Sequence, residues 1–476
     1  MKLGSAQLDR ACGAILGTAA GDALGAAYEF GLATVGPDGP QMVGGGLGNF
    51  APGEWTDDTT MAWAILDVAA SGADLRSPEA LTQIAQRFRD WYDASPPDIG
   101  NQTRVVLGRA GSSPTGEAMT RVARELHETT GHTAGNGSLM RTSPVALAHL
   151  DSAQACAEAA RAVSALTHYD ERAQEACVLW SLAIRHAILT GECDVRVGLE
   201  FVDADYWEAR LVEAETPGTR LAPNGWSVRA LQAAWSAIAR ASRGSRDRNV
   251  SPIEPVLAEV IAIGDDTDTI AAIAGGLLGA TYGASAVPAK WRRILHGYPG
   301  ITGERLVELA HLATGSGRVH GWPGVEHIDY TNWGSQPVLV RHPADDGVWL
   351  GNALSLDDLP DEVTAVVSLC LVGSQQVLGG RHHVVFRLID AADPAKNPNL
   401  EFVLADAAAT VAVLREQGHQ VFVHCVASQS RTPSVAVAYA MLRNGSGYDE
   451  EFARVREVLP DAWPNKEFRR VLRQWG

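Results

Sequence analysis

Cysteine is scarce in this chain and shows no paired spacing. The six residues, Cys12, Cys156, Cys177, Cys193, Cys370 and Cys425, are spread over 476 positions. That distribution excludes a disulfide framework and points to a reducing compartment, so a cytoplasmic location is expected. Positive charge is short as well: 39 Lys and Arg stand against 56 Asp and Glu, a formal net charge of −17. A surface that grips nucleic acid through its phosphates is therefore not expected, and nucleic acid enters only as a modified acceptor. Membrane spans are also missing. Residues 270–289 carry no charge, but they are rich in Gly and Ala and contain Pro288. Gly275, Gly279 and Gly283 recur there every fourth residue, the mark of a buried helix closely approached by another. Residues 12–20 imitate a signal-peptide core, yet Asp9 precedes them and Asp22 interrupts the continuation. The remainder, 46% apolar and 20% charged, is ordinary for a chain with a real core, and the length allows two to three domains.

Against that background two acidic stretches stand out. Residues 264–275 read GDDTDTIAAIAG, with Asp265, Asp266 and Asp268 beside Thr267 and Thr269 at the foot of an uncharged run. One Asp would serve a helix start. Three crowded carboxylates repel one another, and burying them requires a cation. Residues 55–62, WTDDTTMA, repeat the pattern with Thr56, Asp57 and Asp58 ahead of another apolar helix. Oxygen donors without a His or Cys cluster suit Mg²⁺ or Mn²⁺ better than Zn²⁺. Two such sets meeting in space would hold a pair of cations.

Further candidates lie along the chain. Residues 8–30 read as one helix with Gly13, Gly17, Gly21 and Gly25 at four-residue spacing. On it Asp22 and Glu29, seven apart, would share a face. Residues 35–53 are a Gly- and Pro-rich loop beside a ligand entrance. Asp98 sits in the polar insertion 95–104. The Gly135-Asn136-Gly137-Ser138 turn exposes backbone N–H groups that can bind phosphate oxygens. His168 falls in a helical stretch, where a lone His is more often a packing residue. Trp226 precedes the apolar face of another helix and could stack on an aromatic ligand or simply pack. No strand pattern occurs before residue 335.

Taken in order, GTAAGDALGAAYEF, WTDDTTMA, DIGNQT, GNGSLMR, the Thr167-His168 pair, NGWSVRALQAA and GDDTDTIAAIAGGLLGA resemble the ADP-ribosylglycohydrolase family over residues 8–315. The resemblance implies an all-α, metal-dependent fold that releases ADP-ribose from a modified acceptor. It implies that Thr56, Asp57, Asp58, Asp266, Asp268 and Thr269 hold two divalent cations, Mg²⁺ or Mn²⁺. It places Glu29 and Asp98 near the scissile bond and Asn136, Ser138 and His168 around the ADP-ribose; Trp226, from its place ahead of the helix, is a further substrate-binding candidate. Asp265 departs from the family, which usually has Gly there, and an extra carboxylate is expected to bear on metal affinity.

The character changes at residues 316–335, a stretch of turn residues and aromatics read as a linker between domains 1–315 and 336–476. Residues 364–371 and 383–389 then read as buried strands, 400–417 as a helix and 420–423 as a strand. That strand runs into HCVASQSRTPS, where Cys425 and Arg431 bracket five residues before a helix. Strand, loop and helix start make an anion cradle in which a thiol is expected as thiolate. Arg431 offers bidentate donors to a phosphoryl group. With WLGNALSLDDL and AWPNKEF, this resembles the protein tyrosine and dual-specificity phosphatases, an α/β Cys-dependent fold. Cys425 is then the nucleophile, Arg431 the phosphate binder and Asp390 the first choice of general acid, ahead of Asp393. Ser428 replaces the usual Gly of such loops, a residue used where the backbone must approach closely or take positive φ, so reduced or redirected activity is expected. The expectation is a two-site hydrolase acting on an ADP-ribosylated protein or small-molecule acceptor and on a phosphomonoester. The rival is an ADP-ribose-binding module with a silent phosphatase-like domain. The acceptor, whether Arg, Ser, a nucleic-acid end or a metabolite, stays open.

Overall fold

The computed structural model describes residues 2–241, 247–333 and 336–475. It separates into two compact units, the first built from residues up to 241, 252–287 and 294–316, the second from 247–251, 288–293 and 317 onward.

The first unit is helical, apart from a two-residue antiparallel hairpin of β1 (His296–Gly297) and β2 (Ile301–Thr302). Its centre is the antiparallel pair of helices Ser5–Gly25 and Thr267–Tyr282. Gly13 faces Gly279, Gly17 faces Gly275 and Gly21 faces Ala271, so a methyl group at Gly17 would overlap the Gly275 carbonyl. Without side chains between them the backbones touch, and any Cβ on this seam must push them apart. The same pairing brings Thr267 to Gly25, where the Thr267 hydroxyl donates to the Gly25 carbonyl at 2.9 Å. The start of one helix is thereby held at the end of the other.

Residues 8–30 are not one helix. The α-helix stops at Gly25, and a 3₁₀ turn, Ala26–Gly31, follows, with Glu29 extended (φ −53°, ψ 131°) and Phe30 left-handed. The cause is tertiary: the Phe30 N–H donates to the Asp265 carbonyl at 2.7 Å instead of continuing the helix. Asp22 and Glu29 therefore do not share a helix face.

In the second unit a five-stranded sheet has the order β3-β4-β7-β5-β6. These strands are β3 Leu339–His342, β4 Asp345–Asn352, β5 Val363–Ser368, β6 His382–Val385 and β7 Gln420–Cys425. β4, β7, β5 and β6 run parallel, and β3 closes one edge antiparallel to β4. Parallel strands are buried on both faces. Val348, Leu350, Val421 and Val423 pack under helices Leu400–Glu416 and Arg431–Asn444, while Val366 and Phe422 face a smaller cluster with Leu356. Cys425 is paired in register with Asn352, and Ser368 with Val385 and His424. Their carboxyl ends open at one edge, where α/β sheets bind ligands.

Within the stretch 316–335, Gly334 and Ser335 lie outside the described residues. Before them Trp322, Ile328 and Tyr330 are buried. The Tyr330 hydroxyl donates to the Leu371 carbonyl at 2.5 Å, and the Gln376 amide exchanges bonds with the Ile328 backbone at 3.1 and 3.2 Å. Among the described residues no helix is long and apolar enough to cross a membrane.

Candidate active sites

In the first unit Asp22 is the hub. Its Oδ1 accepts the Thr56 N–H at 3.0 Å, and its Oδ2 accepts both the N–H and the hydroxyl of Thr59, at 2.9 and 2.6 Å. It thus caps the helix Asp57–Ala70 from another element, satisfying N–H groups that a helix start leaves open. The capping draws Asp58 against Asp22 and Asp268, and these three carboxylates offer oxygens within 4.8 Å of one another. Glu29, Asp266 and Asp268 form a second such trio. The two trios share Asp268.

Their neighbours do not neutralise them. Burial raises Asp58 and Asp268 well above the usual carboxylate range, and the charges next to them are other carboxylates. Glu29 is pushed up to about 8 by burial and then by Asp266, Asp98 and Asp57; Asp22 rises to about 6 through burial. Asp58 Oδ1 is buried with no hydrogen-bond partner among the described residues. Such a set of hard oxygen donors fits divalent cations. Thr56 joins it, its hydroxyl 3.2 Å from Asp58 and 3.5 Å from Asp268. Thr269 is buried beside it, its N–H on Asp268 Oδ1 at 2.9 Å. Asp57 accepts the Gly100 N–H at 3.4 Å and is raised by burial and then by Asp98.

Asp265 is the exception in its cluster. Its φ is +70°, and its carboxylate accepts the Asn224 N–H at 2.6 Å. It stands apart from both trios. The expected extra metal-facing carboxylate is instead a backbone cap, set by the left-handed turn.

The proposed ligand residues gather at the same edge. Asn136 Nδ2 donates to Asp266 at 2.7 Å. Ser138 is buried and accepts from Ser164 at 2.9 Å. A Cβ at Gly135 or Gly137 would come within 3.3 Å of the His168 ring, so this glycine turn wraps the histidine. Trp226 pairs with Gly135 through the backbone and leaves 43% of its surface exposed. Half-buried Asp98 joins Asp57, Glu54, Trp91, His296 and Tyr298 in lining a cavity of about 430 Å³.

A profile of the ADP-ribosylglycohydrolase family matches residues 4–320. The chain belongs to that family. A profile of the dual-specificity phosphatase catalytic domain matches residues 380–476. The ADP-ribosylarginine hydrolase Tri1 of Pseudomonas putida (strain GB-1) is 30% identical over 294 residues, covering 60% of this chain and 73% of that one. The ADP-ribosyl-[dinitrogen reductase] glycohydrolase of Rhodospirillum rubrum is 29% identical over 295 residues, covering 60% and 89%. A solved structure described as an ADP-ribosylglycohydrolase-related protein complex is 29% identical, covering 65% of this chain and 98% of that one, with a TM-score of 0.49.

The second unit, part of which the phosphatase profile matches, holds the second candidate site. Cys425 ends β7 and is buried; Arg431 opens the next helix. Arg431 Nη1 donates to the Leu369 and Leu388 carbonyls at 3.0 and 3.1 Å. Its Nε is buried without a partner among the described residues. Ser428 has φ +55°, in the left-handed region. Asp390 Oδ1 accepts from the Ser430 hydroxyl at 2.7 Å and from Asn465 Nδ2 at 2.9 Å. Asp393, by contrast, caps the Ala395 N–H. Sequence reading passed over Asn465 as a site residue, though it lies in the AWPNKEF segment.

Proposed function

We propose that the first unit hydrolyses the glycosidic bond between ADP-ribose and an arginine acceptor, with two Mg²⁺ or Mn²⁺ ions held by Thr56, Asp57, Asp58, Asp266, Asp268 and Thr269. The observation that carries this reading is the pair of carboxylate trios sharing Asp268, buried except for the partly exposed Asp266, with no basic side chain paired to them among the described residues. Asp22 is added as the residue that positions the set. When bound, such ions polarise oxygens and supply a water nucleophile at neutral pH. The chain's part is to place the sugar and move protons. Glu29, which burial and its carboxylate neighbours push up to about 8 in the metal-free chain, and the half-buried Asp98 are the groups for proton transfer at the anomeric centre. Asn136, Ser138 and His168 would hold the ADP-ribose, with Trp226 free to stack on its base. The acceptor assignment rests on the arginine hydrolases among the relatives and on the 430 Å³ cavity. Its carboxylates Glu54, Asp57 and Asp98 and its aromatic faces Trp91 and Tyr298 suit a flat cation.

The second unit is proposed to be a phosphomonoesterase. Cys425 Sγ bonds to phosphorus as the bond to the leaving oxygen breaks, and Asp390 delivers a proton to that oxygen. Water then cleaves the S–P bond, releasing inorganic phosphate and restoring the thiol. Arg431, with Nε unpaired, would meet the equatorial oxygens.

The test is ADP-ribose release from Arg-, Ser- and nucleic-acid-linked acceptors with and without EDTA. Release from the arginine conjugate alone, abolished by EDTA and restored by Mg²⁺ or Mn²⁺, is expected. Undiminished release without metal removes the cation reading, and preference for another acceptor removes the arginine assignment. On an aryl phosphate, Cys425→Ser should lose all turnover while ADP-ribose release persists. Persistent phosphatase activity in that variant would return Cys425 to a packing role.

A further inference from the structure

Arg141 is fully buried, yet it takes no part in the machinery described above. Its guanidinium lies 4.6 Å over the Phe88 ring, donates to the Val163 carbonyl at 3.2 Å and contacts Met61 Sδ at 3.6 Å. Its remaining bond goes to the Thr167 hydroxyl at 2.8 Å, and that hydroxyl is 2.7 Å from His168 Nδ1. Nε has no partner among the described residues. Burial lowers Arg141 only to about 10, so it stays a cation at neutral pH.

The proton count along this chain of bonds selects one arrangement. A guanidinium only donates, so the Thr167 oxygen accepts from Arg141. That oxygen has a second lone pair, but if it also accepted from an Nδ1–H its own hydrogen would have no acceptor among the described residues; given to His168 Nδ1, every hydrogen is satisfied. A neutral imidazole that accepts at Nδ1 carries its proton at Nε2. Thr167 and His168 are buried, and Gln102 Nε2 clamps the Thr167 carbonyl at 2.9 Å, which fixes the backbone of the pair. The Nε2 edge is turned to Gly135 and Gly137, 3.3 Å from where either Cβ would stand. A methyl group at either position would crowd that nitrogen.

We infer that Arg141 and Thr167 are positioning residues that lock His168 as a neutral Nε2–H donor, aimed through the Gly135–Ser138 turn at an acceptor oxygen of the bound ADP-ribosyl group. This rests on the hydrolase reading for its ligand, while the relay itself is a property of the free protein. His168 is then a hydrogen-bond donor and not the acid or base of the reaction. Arg141 acts through Thr167 and needs no contact with substrate.

The experiment is long-range ¹⁵N–¹H correlation on the full chain labelled at histidine, at neutral pH, with His168→Gln to assign the signal. The expected spectrum shows an unprotonated Nδ1 and a protonated Nε2 for His168. Thr167→Val should change that pattern, and Thr167→Ser, which keeps the hydroxyl, should preserve it. With ADP-ribose itself as the probe, Thr167→Val should weaken binding roughly tenfold, about one hydrogen bond's worth, and Thr167→Ser by much less. A wild-type Nδ1–H tautomer, or a Thr167→Val spectrum identical to wild type, overturns the relay. The expected tautomer together with no ADP-ribose binding by wild type would leave the relay standing and remove the hydrolase reading and this donor's ligand with it.

Discussion

Both units bury carboxylates, and they settle the charge in opposite ways. In the second unit Asp345 is held by Arg415 at 3.1 Å, Arg443 at 3.2 Å and the Tyr439 hydroxyl at 2.7 Å. Although burial alone would raise it, these partners hold it down to about 2. In the first unit Asp58 and Asp268 meet carboxylates, and burial and repulsion both push them up. An acid that the fold itself neutralises is part of the framework. An acid cluster left unneutralised is a site for something that comes from solution, since a structure kept only for stability would have supplied the cation.

The sharpest way to break this contrast is Asp58→Asn. ADP-ribose release should fall by at least about a hundredfold, because even residues behind metal ligands cost 10–100-fold when changed. Mn²⁺ binding by calorimetry should weaken in parallel. The metal-free variant should nevertheless melt higher than metal-free wild type, because the neutral amide removes the cost of burying a carboxyl among other carboxyls. Asp345→Ala should do the reverse. It strands Arg415 and Tyr439 and should destabilise the fold by about 2 kcal/mol in urea unfolding, with hydrolase kcat/KM unchanged. Equal destabilisation by both substitutions would erase the distinction.

Only the first unit's half of this contrast could be read in the sequence, because its parts are local, whereas Asp345 meets partners 70 to 98 residues away. Thr-Asp-Asp at one helix start and Asp-Asp-Thr-Asp at another announce themselves, as do the four-residue glycine periods and Cys-x₅-Arg between strand and helix. What stayed hidden depends on distant pairing. Asp22 was visible as an acid on a glycine-rich helix, but its bonds to Thr56 and Thr59 cross more than thirty residues. The helix end at Gly25 is set by a bond from Phe30 to Asp265, which no periodicity encodes. Arg141 looks like any other basic residue until its burial is seen. Nor did the aromatics after residue 316 reveal that Trp322 and Tyr330 would be buried.

The contrast also has a pH signature. Glu29 moves from 4.5 to about 8 on folding, so between those values the metal-free folded chain holds a proton that the unfolded chain has released. Stability of the EDTA-treated protein should therefore fall as pH rises from about 4.5 to 8, and saturating Mg²⁺ should flatten the trend. Asp345 moves from 3.8 to about 2, so its contribution is full above 3.8 and disappears only as pH falls toward 2. Melting temperatures from pH 5 to 8, with and without metal, separate the two. A metal-free profile that is flat over this range would show that the cluster does not carry the charge stress assigned to it.

The smallest effect compares two single residues, one beside each site. Asp265 and Ser428 both take left-handed backbone, at φ +70° and +55°, a region that glycine enters without steric cost. A non-glycine residue there costs about 1 kcal/mol, somewhat less for Asp, which tolerates this region better. The side chains compensate differently. The Asp265 carboxylate caps the Asn224 N–H at 2.6 Å, and Asn224 Oδ1 in turn accepts the Asp266 N–H at 3.1 Å. Among the described residues the Ser428 hydroxyl donates only to the Ala427 carbonyl next to it, at 2.7 Å. Ser428→Gly should therefore relieve strain and lose little, stabilising by roughly 0.5 kcal/mol after the extra freedom of the unfolded glycine is counted. Asp265→Gly should relieve the same strain but lose a charge-assisted bond of about 1.5 kcal/mol, a net destabilisation of roughly 1 kcal/mol. Through Asn224 it should also loosen Asp266 and weaken Mn²⁺ binding a few-fold, while leaving turnover of an aryl phosphate unchanged. Urea unfolding and calorimetry on the two variants decide it. If both substitutions stabilise equally, the Asp265 carboxylate is not the cap its geometry describes.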